Sequence, residues 1–399
     1  MNGADLVARV RDRLEGPVDP AAVAAAARAE GVVLGAAALL KLVDDVRAEV
    51  TGAGALQPLL DREGVTDVLV NGGGGVWVDD GEGLRRASVR FGGEAEVRAL
   101  AVRLAGSTGR RLDEASPFVD ARLADGTRLH AVLPPLAPEG THLSLRVPAL
   151  RRWGFADLVA AGAIPAAWVP VVRAVVTRRL SMLVSGGTGT GKTTLLQAML
   201  GLVATGERIV LVEDAGELRP DHPHVVRLEA RHGNVEGRGG VGLDVLVRQA
   251  LRMRPDRLVV GECRGPEVRD LLAALNTGHA GGAGTVHANT AADVVPRLHA
   301  LAAAAGSSPA AVDAQLLAGV DVVLHVARTV RGRGLVEIAV VVPDGAGGAR
   351  VVPALALTGG DGPGGGGPVQ GDPAPGEQDG AGRGPGWAQL AARLGLAGS

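Results

Sequence analysis

Tyrosine is absent from this chain of 399 residues, and the other aromatics are few, with three Phe and four Trp. Trp77, Trp153, Trp168 and Trp387 are too dispersed to build a platform on which bases of a single strand could stack. One cysteine, Cys263, rules out an internal disulfide framework and any multi-cysteine metal site. Neither sign of charge dominates. Against 41 Lys and Arg stand 43 Asp and Glu, a formal net charge of −2, so no global field draws the chain to DNA, RNA or anionic lipid. No apolar run reaches the roughly 18–20 residues that cross a bilayer. The best candidates, "AAVAAAARAEGVVLGAAALLKLV" and "VVRAVV", are cut by charge or too short. The opening "MNGADLVARVRDRLEG" carries acids and lacks the apolar core of a secretory signal. These absences lead us to expect a cytoplasmic chain, soluble or peripheral at the cytoplasmic face of a membrane.

What is present divides into segments. Residues 1–52 are alanine-rich with interspersed charge and predict helices joined at "EGPVDP". Residues 53–150 predict a mixed α+β domain. In it "VTDVLVN" and "GVWVDD" are strands, "EAEVRALAVRLAGSTG" is a helix, and "VDARLADGTRLHAVLPP" is a hairpin turning at Asp125-Gly126. An interdomain linker is expected over 151–165. Residues 166–357 alternate strand and helix as a parallel α/β domain does. Over 358–386 the chain is too rich in Gly and Pro to bury a core and predicts a disordered linker. A short amphipathic helix is expected over 387–399.

The most specific signal is "SGGTGTGKTTLL". It fits the phosphate-loop pattern through Gly186, Gly187, Thr188, Gly189, Thr190, Gly191, Lys192 and Thr193. Glycines let the backbone curl so that successive N–H groups point at phosphate oxygens, and a helix N-terminus adds its positive end. Lys192 is then placed for the β- and γ-phosphates and the Thr193 hydroxyl for Mg²⁺. An ordinary glycine-rich turn needs neither the lysine nor an apolar strand before it and a helix after it. "RLSMLVS" and "TTLLQAMLGLV" supply both flanks.

Two acidic clusters lie downstream. "ERIVLVEDAGELRP" is an apolar strand followed by Glu213, Asp214 and Glu217, and "DRLVVGECRG" ends in Gly261-Glu262. Carboxylates at the carboxyl ends of strands beside a phosphate loop can hold the shell of Mg²⁺ or orient an attacking water. Either cluster alone could be a solvated strand end; two downstream of one loop argue for chemistry. In the glycine between strand and glutamate we read room for the backbone beside a ligand. "NTGHAGGAGTVHANT" adds His279 and His287. Two histidines without nearby acids or cysteines make a poor zinc set, which leaves cap or core residues, or polar sensors of the γ-phosphate.

Taken in order, the phosphate loop, the aspartate box "IVLVEDAGEL", the second acidic loop "LVVGECRG" and the histidine box "TGHAGGAGTVHAN" resemble the ATPases of type II and type IV secretion and type IV pili. "VTDVLVNG", "VWVD" and "GRRLDEASPFVDARLADGTRLHAVLPPLAPEGTHLSLRV" resemble the N-terminal domain of the CpaF/TadA branch, which powers tight-adherence (Flp) pili. The resemblance covers roughly residues 55 to 345. It implies a RecA-like ATPase domain preceded by a smaller α+β domain and a helical segment, with ATP and Mg²⁺ as cofactors. By the same resemblance Lys192, Thr193 and Thr194 bind phosphate and magnesium, and Glu217 is the aspartate-box acid nearest the attacking water, preceded by Glu213 and Asp214. Glu262 is the principal catalytic candidate and a possible magnesium ligand; Arg264 ties its loop to neighbours. The choice of base between Glu217 and Glu262 stays open. His279 and His287 match the paired histidines, and Arg128 and Arg146 match arginines directed at nucleotide phosphates, with two solvent-facing strand arginines as the alternative.

Two departures accompany the match. Four consecutive glycines in "NGGGGVWVD" suggest a looser turn, and Cys263 stands where relatives mostly carry other residues. The implied partners are a homohexameric ring and polytopic inner-membrane platform proteins, with no specific nucleic acid. Two other classes compete: a nucleic-acid motor on a RecA-like core, and a nucleotide-dependent scaffold that does not hydrolyse.

Overall fold

Valine at every second position shapes the first sheet. In β1 (Asp67–Asn71) and β2 (Gly75–Asp79), Val68, Val70, Val76 and Val78 are buried and their neighbours are not. That is the alternation of a sheet covered on one face only. The computed structural model describes residues 3–14, 18–50, 52–73, 75–81, 83–148, 153–231, 239–276, 278, 280–329, 332–357 and 381–396. Two units, Met1–Arg151 and Arg152–Ser399, each build their own core.

The first unit begins with α1 (Gly3–Asp12), α2 (Pro20–Ala29) and α3 (Ala36–Val50), packed around Val10, Val23, Val43 and Val46. Asp19 starts α2: its Oδ1 accepts the N–H groups of Ala21 and Ala22 at 2.8 Å each, and Pro20 takes the first helical position. A single turn, α4 (Gln57–Leu60), leads into β1 and β2, then β3 (Leu84–Arg90), α5 (Glu94–Ser107), β4 (Phe118–Arg122), β5 (Arg128–Val132) and β6 (His142–Arg146). The sheet order is β3-β2-β1-β6-β5-β4. Helix α5 lays Val97, Leu100, Ala101, Leu104 and Ala105, spaced as one helical face, into the core shared with Val68, Leu129 and Leu145. The β4–β5 hairpin turns at Asp125-Gly126 as expected, with Gly126 at φ +92° and Asp125 Oδ1 accepting the Thr127 N–H at 2.9 Å. At the first glycine of the run, close packing sets the choice of residue: a Cβ on Gly72 would sit 2.5 Å from the Glu139 carbonyl oxygen.

The second unit runs α6 (Phe155–Ala160), α7 (Val169–Thr177), β7 (Met182–Gly186), α8 (Lys192–Leu200), β8 (Ile209–Glu213), β9 (Val225–Glu229), α9 (Leu243–Ala250), β10 (Arg257–Cys263), α10 (Glu267–Asn276) and β11 (Ala283–His287). Then come α11 (Val294–Ala303), α12 (Pro309–Gly319), β12 (Val322–Thr329), β13 (Gly332–Pro343), β14 (Ala349–Leu357), β15 (Ala381–Arg383) and α13 (Trp387–Leu394). Its sheet reads β15-β14-β13-β12-β7-β11-β10-β8-β9. From β12 to β9 the pairs are parallel, and β13 to β15 add antiparallel pairs. Strands β7 and β8 are buried at every position, the continuous apolar run of a sheet covered on both faces. One face holds Met182, Val184 and Leu211 against α7 and α8; the other holds Leu183, Val210 and Val212 against α9 to α12.

Two stretches differ from the sequence reading. The expected linker over 151–165 contains α6, whose Phe155 and Leu158, with Ile164, belong to the second unit's core. The expected irregular stretch over 358–386 lies outside the described residues for 358–380, yet Ala381–Arg383 pairs with β14, and Gly384 N–H donates to the Ala354 carbonyl at 2.9 Å. A Cβ on Gly384 would lie too close to Pro353, so glycine serves tight packing there. Leu390 and Leu394 of α13 enter the same core as α7 and β13.

At the end of the sheet where β8 and β10 begin, Arg257 is buried and clamps several segments. Its Nε and Nη2 donate to the two Glu207 oxygens at 2.8 and 3.1 Å, and Nη2 also reaches the Val176 carbonyl at 2.9 Å. That guanidinium holds the Glu207 carboxyl below its usual range. Because the folded-state value is depressed, this stabilisation is present above the ordinary glutamate pKa and lost as pH falls through the lowered one. Arg257→Ala removes these bonds while Arg179, 3.1 Å from Glu207 Oε2, still pairs that carboxylate, so a loss of about 1.5–3 kcal/mol is expected. Urea unfolding measures it; a loss within about 0.5 kcal/mol, the range of ordinary surface substitutions, would show that the clamp is incidental.

Candidate nucleotide site

The parallel strands bring the phosphate loop, Glu213, Glu262 and His287 to one end of the second sheet. The phosphate loop follows β7, the two acidic loops follow β8 and β10, and His287 ends β11, so all lie beyond strand carboxyl ends, where open α/β sheets bind ligands. His287 pairs in register with Gly186, and Val286 with Ser185.

The loop's curl is written in its glycines. Gly186, Gly189 and Gly191 have φ of +154°, +68° and +98°, values that favour a residue without Cβ. A Cβ on Gly186 would collide with the Val326 carbonyl of the neighbouring β12 and lie 2.7 Å from Thr190 Oγ1. Gly191 caps α8, whose first residue is Lys192. Lys192 is buried, and its ammonium donates to the carbonyls of Gly186 and Gly187 at 2.9 and 2.8 Å. Thr190 Oγ1 donates to the Gly187 carbonyl at 3.0 Å. Thr188 is exposed, and Thr193 and Thr194 are half-buried on the first turn of the helix. Burial lowers the Lys192 pKa; Glu262 opposes that shift, Arg264 adds to it, and Glu217 opposes it again. The lysine, both candidate acids and Arg264 therefore act on one another electrostatically.

The two acidic loops are built differently. Glu213 is buried; its Oε1 accepts the N–H groups of Glu217 and Leu218 at 2.9 Å each, while Oε2 has no partner among the described residues. Burial raises its pKa. It thus organises the turn that presents Glu217, which is exposed. Arg219 N–H donates to Gln197 Oε1 at 2.8 Å, tying that turn to α8. Asp214 is half-buried and contributes to the field around Arg264. The space at Gly261 serves this carboxyl and not, as the sequence reading had it, the backbone beside a ligand: a Cβ there would stand 2.7 Å from Glu213 Cγ.

Glu262 follows at a register irregularity between Val260 and Cys263 of β10, a break that re-aims a side chain. Glu262 Oε2 takes both Nε and Nη2 of Arg264, at 2.8 and 2.5 Å. That pairing raises the Arg264 pKa. Glu267, buried at the start of α10, accepts the N–H groups of Arg264 and Gly265 at 2.6 and 2.8 Å and fixes the loop. Cys263 faces the core, and burial pushes its thiol far up; it is a small apolar filler.

His279 lies outside the described residues, while His287 is half-buried. Arg128 and Arg146 belong to the first unit, where they are direct cross-strand partners on β5 and β6. Arg122 flanks the pair on β4 and Asp67 on β1, and Arg146 is exposed. One buried polar group escaped the sequence reading: His325 on β12, whose Nδ1 lies 2.9 Å from Ser185 Oγ. Only the strand pairing brings these two residues, 140 apart in the chain, together.

The residues fit a nucleoside triphosphate: a glycine cradle, a buried ammonium and a helix start converge at one place. No group of three or more His, Cys, Asp or Glu side chains is placed to hold a metal among the described residues.

Comparison with known proteins agrees with this geometry. The family described as type II/IV secretion system protein matches residues 49–333. A Mycobacterium tuberculosis relative named for conjugal transfer is 58% identical over 315 residues, covering 77% of this chain and 90% of its own. The type IV secretion system protein PtlH of Bordetella pertussis is 35% identical over 267 residues, 61% of this chain and 78% of that protein. Among solved structures, the pilus retraction motor PilT with bound ADP aligns at a TM-score of 0.51 and 22% identity, over 69% of this chain and 79% of that one. The Legionella pneumophila ATPase DotB aligns at 0.50 and 20% identity, over 71% and 78%. These structural likenesses concern the fold, a RecA-like core. No helix among the described residues is long and apolar enough to cross a membrane. With more than half its length matched by that family model, and a phosphate loop at the head of its parallel sheet with two acidic loops beside it, this chain belongs to the type II/IV secretion system protein family.

Proposed function

We propose that the chain is a motor subunit that couples hydrolysis of Mg-ATP to movement between its two units, and that it belongs to the CpaF/TadA-like branch serving tight-adherence pili or a related secretion system. The observation that carries the reading is the glycine cradle from Gly186 to Gly191 with the buried Lys192 ammonium held over it, at the same sheet end as Glu213 and the Glu262–Arg264 pair. Six such subunits would form a ring at the cytoplasmic face of the membrane, acting on polytopic platform proteins. The intact lysine and paired acids favour hydrolysis over a static scaffold. The dispersed tryptophans and near-neutral charge give no support to a nucleic-acid motor.

In this reading the N–H groups of the loop from Gly186 to Gly191 bind the phosphates, and Lys192 turns from the carbonyls of Gly186 and Gly187 to the β- and γ-phosphates. Thr193 would hold magnesium through its hydroxyl, Thr194 would steady the phosphates, and Glu262 would be the acidic side chain nearest to support the ion. Bound Mg²⁺ would draw electron density from the γ-phosphoryl group. Glu262, oriented by Arg264, is the first candidate to position the attacking water, and Glu217, held by Glu213, the second. His287, with His279, would sense the γ-phosphate. Asp214 supports the acidic turn.

Lys192→Ala should abolish ATP turnover while the fold, followed by circular dichroism, survives; parental hydrolysis would place the active site elsewhere. Glu262→Gln keeps shape but loses charge, so ATP should bind and persist with turnover about 10²–10⁴-fold lower. Parental turnover in Glu262→Gln together with an inactive Glu217→Gln would move the base to Glu217.

Arg128 and Arg146 are proposed to approach the nucleotide from the first unit, in the same subunit or a neighbour, because two adjacent guanidinium groups on one strand pair suit an anionic ligand. An arginine at the γ-phosphate can contribute about 10³–10⁵ in rate. The double variant Arg128→Ala, Arg146→Ala should therefore assemble normally, as judged by light scattering, and hydrolyse poorly. Parental turnover per subunit would assign both arginines to the solvent-facing alternative.

A further inference from the structure

The mechanism above makes no use of the buried imidazole of His325. Three observations meet at this side chain. Its Nδ1 lies 2.9 Å from Ser185 Oγ, and Ser185 is fully buried directly before the first glycine of the phosphate loop. The backbone of Asn289, two residues beyond His287, also acts on the imidazole. Strand pairing fixes the arrangement, since Ser185 is in register with His325 on one side and with Val286 on the other. The Asn289 segment is itself anchored: Ala288 N–H points to the Gly186 carbonyl at 3.4 Å, and Asp293 Oδ2 accepts the Thr290 N–H at 3.0 Å and hydroxyl at 2.8 Å.

We propose that His325 is a positioning residue that joins the base of the phosphate loop to the loop leaving His287, so that both respond together when the γ-phosphate is lost. The inference rests on the nucleotide-site reading and deepens it. Its physical basis is that a neutral imidazole is both donor and acceptor and can satisfy a hydroxyl on one side and a backbone carbonyl on the other. Burial depresses the imidazole pKa, with Lys192 acting in the same direction and Asp293 against it, which favours the neutral form this bridge needs. An apolar residue of similar size would fill the space and join nothing.

The test uses the full chain and three replacements. Asn reaches toward the Ser185 side, Gln toward the Asn289 side, and Leu bonds neither. In His325→Leu, kcat should fall about 10-fold, as expected when buried partners lose 1–3 kcal/mol of hydrogen bonding. Affinity for a fluorescent ATP analogue should stay within about threefold, because the phosphate cradle is untouched. His325→Asn and His325→Gln, each keeping one bond, should fall between Leu and the parent, and they decide the matter if the Leu variant does not fold. In a double-mutant cycle, His325→Leu and His287→Ala should be non-additive in kcat, since they would act along one path. Parental kcat in all three variants, or additive effects with a parallel loss of nucleotide affinity, would overturn the proposal and leave His325 a packing residue. Retention of turnover by Lys192→Ala would instead overturn the nucleotide-site reading itself, so the two failures are distinguishable.

Discussion

The head of the second sheet depends on one close approach. At Gly186 the chain leaves β7 so near the Val326 carbonyl of β12 that no side chain could stand there. This lets β7 run flush between two parallel neighbours to its very end, with His287 and Val326 both in register with Gly186. The loop that follows is thereby suspended from a buried, doubly flanked strand and cannot drift. Packed interiors resist deformation, so a rigid floor under a phosphate-binding turn is what the apolar run Met182–Val184 provides.

The acidic side chains divide their work by burial. Among the described residues Glu213 has two backbone donors on one oxygen and none on the other, and burial raises its pKa. It serves as a brace. Glu262 is half-buried and forked onto by Arg264 at the end of β10.

Much of this could be read from the sequence because its determinants are local. The glycines, the lysine and the flanking apolar strand and helix of the phosphate loop are contiguous, and the alternating valines of β1 and β2 announce a half-covered sheet. What could not be read depends on contacts between distant segments. The role of Gly261 is set by Glu213 on the next strand, and Ser185 meets His325 only through pairing of β7 with β12. The three residues of β15 carry no strand signature; they become a strand because β14 offers an edge. The helix over Phe155–Ala160 was hidden for the opposite reason: a six-residue amphipathic turn is too short to distinguish from a connector until Phe155 and Leu158 find a core.

The scarcity of aromatic and thiol groups has a consequence for how this molecule interacts with light and with reagents. Cys263, enclosed and held as a thiol, is shielded from alkylating reagents in the folded state. A cysteine introduced at the surface would therefore be the reactive one, so a dye could be placed at one chosen point without removing a native residue. With no tyrosine, ultraviolet emission belongs almost wholly to tryptophan. Trp77, 36% exposed, lies in the first unit, while Trp168, 1% exposed, is sealed in the second. Trp77 is thus the sole tryptophan of the first unit, while the second adds the half-buried Trp153 and Trp387 to Trp168, so replacing those two would leave one reporter per unit in contrasting solvent environments.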